Sequence, residues 1–169
     1  LLTARLDRLG DARKLVQLAA VLGKGFAEAL LDIAARAAGL DMSRGLSRLV
    51  EADILIRAPG SGACSFRHSL IQEAAYASLL KKARQRYHGI VADVLQRAFE
   101  QKTRQSPEVL AHHLQAAGRF DAAATAWHQA GRKASATWAM QEATAHLQAA
   151  LDCAADAGET PPLQEIEIR

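Results

Sequence analysis

Alanine and leucine make up more than a third of this chain, and no other sequence feature constrains its fold as strongly. The 169 residues include 37 alanines and 22 leucines. Small or unbranched apolar side chains lose little conformational freedom in a helix and let neighbouring helices pack closely. With 50% hydrophobic and 23% charged residues and four prolines, a disordered tail, a collagen-like repeat and a disulfide-stapled miniprotein are excluded. We therefore expect a mainly α protein.

The ends of the chain and its cysteines indicate the kind of parent protein. The sequence opens at Leu1 without a methionine and closes on residues 165–169, which look like the start of another element, so we expect a piece of a longer parent. No run reaches the roughly 18 consecutive apolar residues that a membrane span needs, and no charged leader precedes a short apolar core. Cys64 and Cys153 lack CxxC spacing, so we expect reduced thiols in a cytoplasm.

Charge is distributed unevenly along the sequence. Residues 1–105 hold 17 Lys/Arg against 10 Asp/Glu, whereas residues 106–169 hold 4 against 8. At the junction, Ser106 can cap a helix and Pro107 suits the first helical position. The sequence therefore predicts two parts with different surfaces, and a new helix at their junction.

The first 67 residues change from helical to extended patterning. Apolar spacing predicts three helices, with the second ending at Gly39 and the third beginning at Asp41. Residues 54–58 and 63–67 are short extended runs joined by a Pro-Gly-Ser-Gly turn, which is typical of a β-hairpin. Because three helices followed by a hairpin form a winged helix, we predict a winged-helix segment over 1–67. The predicted inner residues are Leu15, Leu18, Ala19 and Leu22, then Phe26, Leu30, Ile33, Ala34 and Ala37, then Met42, Leu46, Leu49 and Val50.

Residues 68–105 are predicted to be linking helices. Ser69 and Gln72 have the spacing of a capping box, so a helix is expected over about 70–80. The basic run 81–86 is interpreted as a solvated helix face; contact with an anion or an acidic partner, such as the parent's nucleotide-binding core, is the functional alternative. A longer helix follows, and its predicted inner residues are Tyr87, Val91, Val94, Ala98 and Phe99.

The remaining residues repeat an order of large and small side chains. Helices are predicted near 107–117, 120–134 and 137–156, stacked in sequence. The order large, small, large, glycine turn, small, aromatic, small follows the tetratricopeptide pattern. We therefore predict the start of a tetratricopeptide-like α-solenoid over 106–169, and a second register starting at Trp127 fits almost as well. Trp127 is expected to be buried, while Trp138 suits either environment. The predicted packing residues are Leu110, Leu114, Gly118, Ala123, Trp127, Gly131, Ala143 and Leu147.

The chemistry-bearing residues lack the spacing that catalysis or metal binding requires. Residues 23–25, Gly-Lys-Gly, follow a helical pattern and lack the first glycine and the Ser/Thr of a phosphate loop, so we predict a turn. His112 and His113 are adjacent and point to different sides of a helix, and no carboxylate motif accompanies His128 or His146. No Ser/His/Asp or Cys/His arrangement can be assembled. We therefore predict a non-catalytic fragment without a metal or cofactor of its own.

Several short strings give the chain a family resemblance. The strings that carry it are residues 66–76, 86–88, 110–113 and 116–118. Nearly the whole chain resembles the region after the nucleotide-binding module in STAND-type signalling ATPases, especially bacterial proteins that carry a class III adenylate/guanylate cyclase domain. The resemblance implies a parent that binds ATP or ADP, a winged helix that contacts its own upstream nucleotide-binding domain, and repeats that receive a protein or small-molecule effector. Enzymatic output then belongs to another domain.

His68 is the most specific candidate for a functional residue that this resemblance implies. The string Phe66-Arg67-His68-Ser69-Leu70 resembles the Met-His-Asp motif of the related NB-ARC switches, whose histidine contacts the phosphate of bound ADP. The resemblance implies that His68 is an ADP-phosphate sensor in the full-length parent. An imidazole near a helix start can donate to a phosphate oxygen. The alternative is a histidine that precedes the helix and bonds locally.

Two further functions stay open. Winged helices often dock their third helix in the DNA major groove, so a transcriptional regulator with a repeat-type sensor is the first alternative. Glu51 and Asp53 oppose the charge of a DNA backbone, so nucleic acid is not the expected partner. A membrane is not expected either, because the sequence has no apolar run long enough to span one. A passive protein-binding scaffold is the second alternative. The candidate DNA contacts are Arg44, Arg48, Arg57 and Arg67.

Overall fold

The computed structural model describes residue 6 and residues 9–158. This part of the chain is mainly α-helical with a small three-stranded antiparallel sheet, which confirms the predicted class of a mainly α fold with a hairpin region. The chain forms two compact units, divided between Val94 and Leu95. The winged-helix and tetratricopeptide assignments and the three-part division stay predictions.

The helices and strands follow one another with short connections. In the first unit the elements are α1 (Ala12–Leu22), β1 (Gly25–Ala27), α2 (Glu28–Ala38), α3 (Met42–Glu51), β2 (Leu55–Ala58), β3 (Ala63–Phe66) and α4 (Ser69–Ala77). The division between the units falls within α5 (Lys81–Ala98). The second unit continues with α6 (Glu100–Gln105), α7 (Pro107–Ala116), α8 (Phe120–Ala136) and α9 (Met140–Gly158).

The three-stranded sheet contains a strand that the sequence analysis missed. The prediction of a turn at residues 23–25 and of helix from Phe26 is wrong, because β1 pairs with β3 and places Phe26 opposite Cys64. The ring of Phe26 is buried and meets the ring of Phe66 edge-on, with centroids 6.3 Å apart. β2 and β3 form the predicted hairpin. The sheet order β1-β3-β2 therefore joins the hairpin to the chain segment that precedes α2.

Helix α2 turns to the core a face that only partly matches the predicted one, in which Ala34 is buried as expected. Leu31 and Ala35 are fully buried, whereas Ile33 and Ala37 are exposed. The predicted face requires Phe26 to be helical, whereas Phe26 lies in strand β1 and does not share the helical period. The end of α2 agrees with the prediction, because Gly39 adopts the left-handed backbone of a C-cap, with φ +74°.

Helix α3 follows its predicted boundaries, but its predicted inner face is only partly correct, because Val50 is exposed and Met42 is half-buried. The Asp41 side chain accepts a hydrogen bond from the backbone N–H of Arg44 at 3.2 Å, as an N-cap should. Leu46 and Leu49 are buried as predicted. At the crossing with α1, a Cβ added to Gly45 would lie 2.5 Å from Cδ2 of the buried Leu15, so only glycine fits without a shift. The candidate DNA contacts Arg44 and Arg48 are exposed, as are Ser43, Ser47 and Glu51 on the same helix.

Helix α4 begins without the predicted capping box. Ser69 is already helical, and the amide of Gln72 donates to the carbonyl of Ala20 at 2.9 Å. The prediction is therefore wrong, because Gln72 ties α4 to α1 rather than closing its own helix start. The basic run 81–86 also departs in part from a solvated face. Arg84 is only partly exposed, and its guanidinium lies 4.5 Å from the ring centroid of Tyr76.

The second unit consists mainly of three helices that pack in succession. The observed α7, α8 and α9 match the predicted helices near 107–117, 120–134 and 137–156 to within a few residues. α7 packs on α8, and α8 packs on α9. Pro107 is the first residue of α7, as predicted, although Ser106 makes no side-chain cap. The short turns between these helices are those of αα-hairpins.

The predicted packing residues occupy three kinds of environment. Trp127 is half-buried rather than buried, and its indole N–H donates to Oε1 of Gln115 at 2.9 Å. Leu147 keeps 36% of its surface exposed. Gly118 has φ +78° and forms the turn after α7. The buried members of the set are Leu110, Leu114, Ala123, Gly131 and Ala143.

Trp138 stands where a helix end normally has glycine. The N–H of Ala139 donates to the carbonyl of Ala134 at 3.0 Å, and the N–H of Trp138 to that of Ser135 at 3.2 Å. These are the two bonds of a Schellman motif, whose left-handed position favours glycine. Trp138 has φ +61° and is 84% exposed. A bulky side chain there strains the backbone and buries little surface in return.

We expect Trp138→Gly to raise the free energy of unfolding of the second unit by about 1 kcal/mol, since the left-handed conformation costs a non-glycine residue roughly 1–2 kcal/mol. The measurement is urea unfolding followed by far-UV circular dichroism. Trp138→Ala is the control, because it removes the indole but keeps the Cβ. If both variants are stabilised equally, the exposed indole rather than the backbone carries the cost.

Candidate functional site

His68 lies at the point where the hairpin passes into α4. It is the N-cap residue of that helix, with an extended backbone at φ −136° and ψ 136°. Its carbonyl accepts the N–H of Ile71 at 3.1 Å, while its side chain makes no cap hydrogen bond. The imidazole is exposed. The side chain can therefore reach a ligand or another domain without breaking a helix cap.

The residue before His68 is held firmly in place. The N–H of Arg67 donates to the carbonyl of Ile54 at 2.9 Å, and the Arg67 side chain bonds the carboxylate of Asp53, with Nε at 2.8 Å from Oδ1. Asp53 itself has φ +57°, a left-handed position that Asp tolerates better than most residues. These contacts fix the backbone from which the imidazole of His68 projects.

The four arginines named as candidate DNA contacts fall into two pairs. Arg57 makes a two-point ion pair with Glu28, with distances of 2.9 Å and 2.7 Å. Arg67 pairs with Asp53. Arg44 and Arg48 lie one helical turn apart on the exposed face of α3, and neither makes an ion pair within the described residues. The positive charges of the hairpin arginines are thus partly neutralised, whereas the arginines of α3 are available for contacts with a negatively charged partner.

A cavity of about 350 Å³ adjoins α3. Arg44 and Arg48 line it together with Lys14 of α1. Lys14 was not among the predicted site residues, since its place beside Arg44 depends on how α1 and α3 cross. The only feature of the sequence that bears on Lys14 is its position next to the buried Leu15 in an amphipathic helix, which indicates that Lys14 lies near the edge of the buried face.

Both cysteines are poor nucleophiles. Burial raises the pKa of the Cys64 thiol, and the nearby carboxylate of Glu28, 3.9 Å from the sulfur, raises it further. Burial likewise raises the pKa of Cys153. Because the thiolate is the reactive form, both groups stay as protonated thiols near neutral pH.

The histidines of the second unit are separate from one another, apart from one adjacent pair. His113 is buried and His112 exposed, so the two point to different sides of α7 as predicted. His146 stacks on Trp127, with ring centroids 5.2 Å apart. Within the described residues, no group of three or more His, Cys, Asp or Glu side chains is placed to hold a metal ion. No helix in the same part of the chain is long and apolar enough to span a membrane.

The chain is similar to a segment of a longer bacterial protein. No known family profile matches the sequence. No solved structure is significantly similar to it. An uncharacterized protein of Rhizobium meliloti (strain 1021) is 31% identical over 171 residues, an alignment that covers 99% of this chain and 17% of the relative. The chain therefore spans about a sixth of the length of this relative.

Proposed function

We propose that this chain is a regulatory segment of a multidomain signalling ATPase and couples the nucleotide state of an upstream domain to the binding of a partner or effector. The observation that carries the proposal is the pairing of a helix-and-hairpin unit with a unit of successive helical hairpins. The first resembles a winged helix, which docks as a compact body. The second resembles a repeat array, whose extended surface suits partner binding.

The similarity of this chain to one part of a longer relative supports this proposal. The chain is similar to one segment of a relative about six times as long. In the proposed parent, the nucleotide-binding module precedes this chain, and an adenylate/guanylate cyclase domain supplies the output. The chain itself performs no chemistry in this scheme. It acts through differential contacts in two arrangements of the parent, which is what allosteric coupling requires.

His68 is the proposed contact between this segment and bound ADP. Its exposed imidazole projects from a backbone held by the Arg67 contacts. An imidazole that donates to a phosphate oxygen forms a charge-assisted hydrogen bond, which is stronger than a neutral one. ADP held in this way would stabilise the arrangement in which the first unit docks on the nucleotide-binding module.

We expect His68→Ala in the full-length parent to weaken ADP retention at least tenfold, because a hydrogen bond to a charged group contributes about 1.5–3 kcal/mol. Displacement of a fluorescent ADP analogue measures the effect. His68→Gln, which keeps a donor at a similar reach, should restore part of the affinity. The matched control is His128→Ala, since His128 is an equally exposed histidine on α8. Unchanged ADP affinity in His68→Ala would refute the sensor role.

DNA binding is the second candidate, favoured by Arg44 and Arg48, which are exposed on one face of α3 and form no ion pair in the part of the chain that the structure describes. The ion pairs of Arg57 and Arg67 weaken it, because a hairpin with neutralised charge contributes little to phosphate contacts. A low-salt gel shift separates the two candidates. Binding that falls steeply with salt favours a transcriptional regulator, whereas no shift favours the regulatory segment.

A further inference from the structure

Three cationic side chains from two helices converge on the cavity beside α3. Lys14 comes from α1, and Arg44 and Arg48 come from α3. A Cβ built on Gly10, which precedes α1, would lie 4.0 Å from Nη1 of Arg48, so the guanidinium reaches across to the opposite wall. The cavity volume of about 350 Å³ falls within the range of small-ligand sites, roughly 300–1,000 Å³.

Two carboxylates also line this cavity, and their environments differ. The Asp41 carboxylate is engaged in capping α3, where it accepts from the N–H of Arg44 and from the hydroxyl of Ser43, the latter at 3.1 Å. These hydrogen bonds lower the pKa of Asp41, so it remains ionised. Asp11 precedes α1 without a side-chain cap bond. Both carboxylates are therefore opposing charges that a bound anion would meet, and Asp11 is the one that can be neutralised without removing a helix cap.

The cationic groups form no salt bridge with these carboxylates among the described residues, although the charge of Arg44 is one of the causes that lower the pKa of Asp41. Within the described residues, neither guanidinium nor the Lys14 ammonium forms an ion pair at salt-bridge distance. All three side chains are at least partly in contact with solvent, as an open binding site requires. Three cations against two carboxylates leave a surplus of positive charge, with guanidinium donors directed from one helix face.

We propose that this cavity binds the phosphate group of a small phosphorylated molecule. A phosphate monoester carries about −1.5 to −2 charges at pH 7 and presents three acceptor oxygens. A ligand with a phosphate group therefore matches three cationic side chains better than a ligand with a single carboxylate group. Guanidinium groups match phosphate oxygens with paired, fork-like hydrogen bonds. The site is independent of the proposed ADP sensor, since His68 does not line the cavity.

The test is a titration of the 169-residue chain with inorganic phosphate and with ADP, followed by calorimetry and NMR. We expect saturable binding that weakens about tenfold or more in Arg44→Gln and in Arg48→Gln, given the worth of charge-assisted hydrogen bonds. Asp11→Asn should tighten binding severalfold, because it removes one of the two opposing carboxylates without removing a helix cap. A gain of affinity cannot result from unfolding, so this variant tests the site directly.

The matched control is Arg36→Gln, which removes an exposed arginine of α2 that lies outside the cavity and pairs with Asp32. It should leave phosphate affinity unchanged. No saturable binding of either probe, or equal losses in Arg36→Gln and Arg48→Gln, would overturn the assignment. A short DNA duplex is the third probe. If the duplex binds far more tightly than ADP and depends on Arg44 and Arg48, the surface serves nucleic acid instead.

Discussion

Replacing Ala123 by lysine is expected to lower the free energy of unfolding of the second unit by about 3 kcal/mol. Ala123 is completely buried in α8. A lysine there both overfills the helix crossing, at about 1–3 kcal/mol, and removes an ammonium group from water. Both tryptophans, Trp127 and Trp138, lie in this unit. Urea unfolding followed by tryptophan fluorescence therefore measures the effect on that unit alone.

The neighbouring Ala122 provides the matched control. It lies in the same helix and is exposed. Surface substitutions away from special features usually change stability by less than about 0.5 kcal/mol, so Ala122→Lys should unfold at nearly the wild-type urea concentration. Equal losses in Ala122→Lys and Ala123→Lys would contradict the burial of Ala123 between helices.

Gly131→Val is expected to destabilise the second unit by about 2 kcal/mol through overpacking. A Cβ at this position would lie 2.7 Å from both Cγ and Cδ2 of Leu147, and 3.4 Å from the carbonyl oxygen of Ala143. The first contacts are with a side chain that can move, whereas the last is with helix backbone. Part of the cost should therefore be relieved by shortening Leu147, and part should persist.

A double-mutant cycle separates these two parts. Leu147→Ala alone should cost only about 1 kcal/mol, since Leu147 is 36% exposed and partly buried side chains lose less on truncation. The combination of Gly131→Val with Leu147→Ala should then be less destabilised than the sum by at least about 1 kcal/mol, as expected for residues in contact. Gln129→Val, at an exposed position of the same helix, reports the cost of β-branching alone. Strict additivity of the cycle would contradict the close approach of α8 and α9.

Helix α3 shows which structure the sequence alone could predict. Its cap at Asp41, its buried leucines and its exposed arginines all follow from signals within a dozen residues. The boundaries of α7, α8 and α9 were predictable for the same reason, because their turns carry local markers such as Pro107 and Gly118. Local periodicity and capping chemistry were sufficient there.

Strand β1 shows where local signals were insufficient. Its three residues, Gly25–Ala27, have no alternation long enough to read as a strand. They become one only by pairing with β3, which lies far along the chain. Gln72 departs from prediction for a related reason, since its side-chain amide donates to the carbonyl of Ala20 on another helix. Such partners are set by tertiary packing.

The candidate sites divide in the same way. The exposure of Arg44 and Arg48 could be predicted from helical spacing, and His68 was found through a resemblance carried by adjacent residues. Lys14 was not found, because its relation to the two arginines exists only once α1 crosses α3 at Gly45. The ion pairs that occupy Arg57 and Arg67 likewise join residues distant in sequence.

The pairing of β1 with β3 has a mechanical consequence for the first unit. β1 leads directly into α2, and the N–H of Glu28 donates to the carbonyl of Gly62 at 2.8 Å. Glu28 also holds Arg57 on the other strand of the hairpin. A force applied to the hairpin tip is therefore transmitted to the start of α2, because the hairpin cannot bend independently of that helix. Any domain that pushes on this tip moves helix and hairpin as one piece.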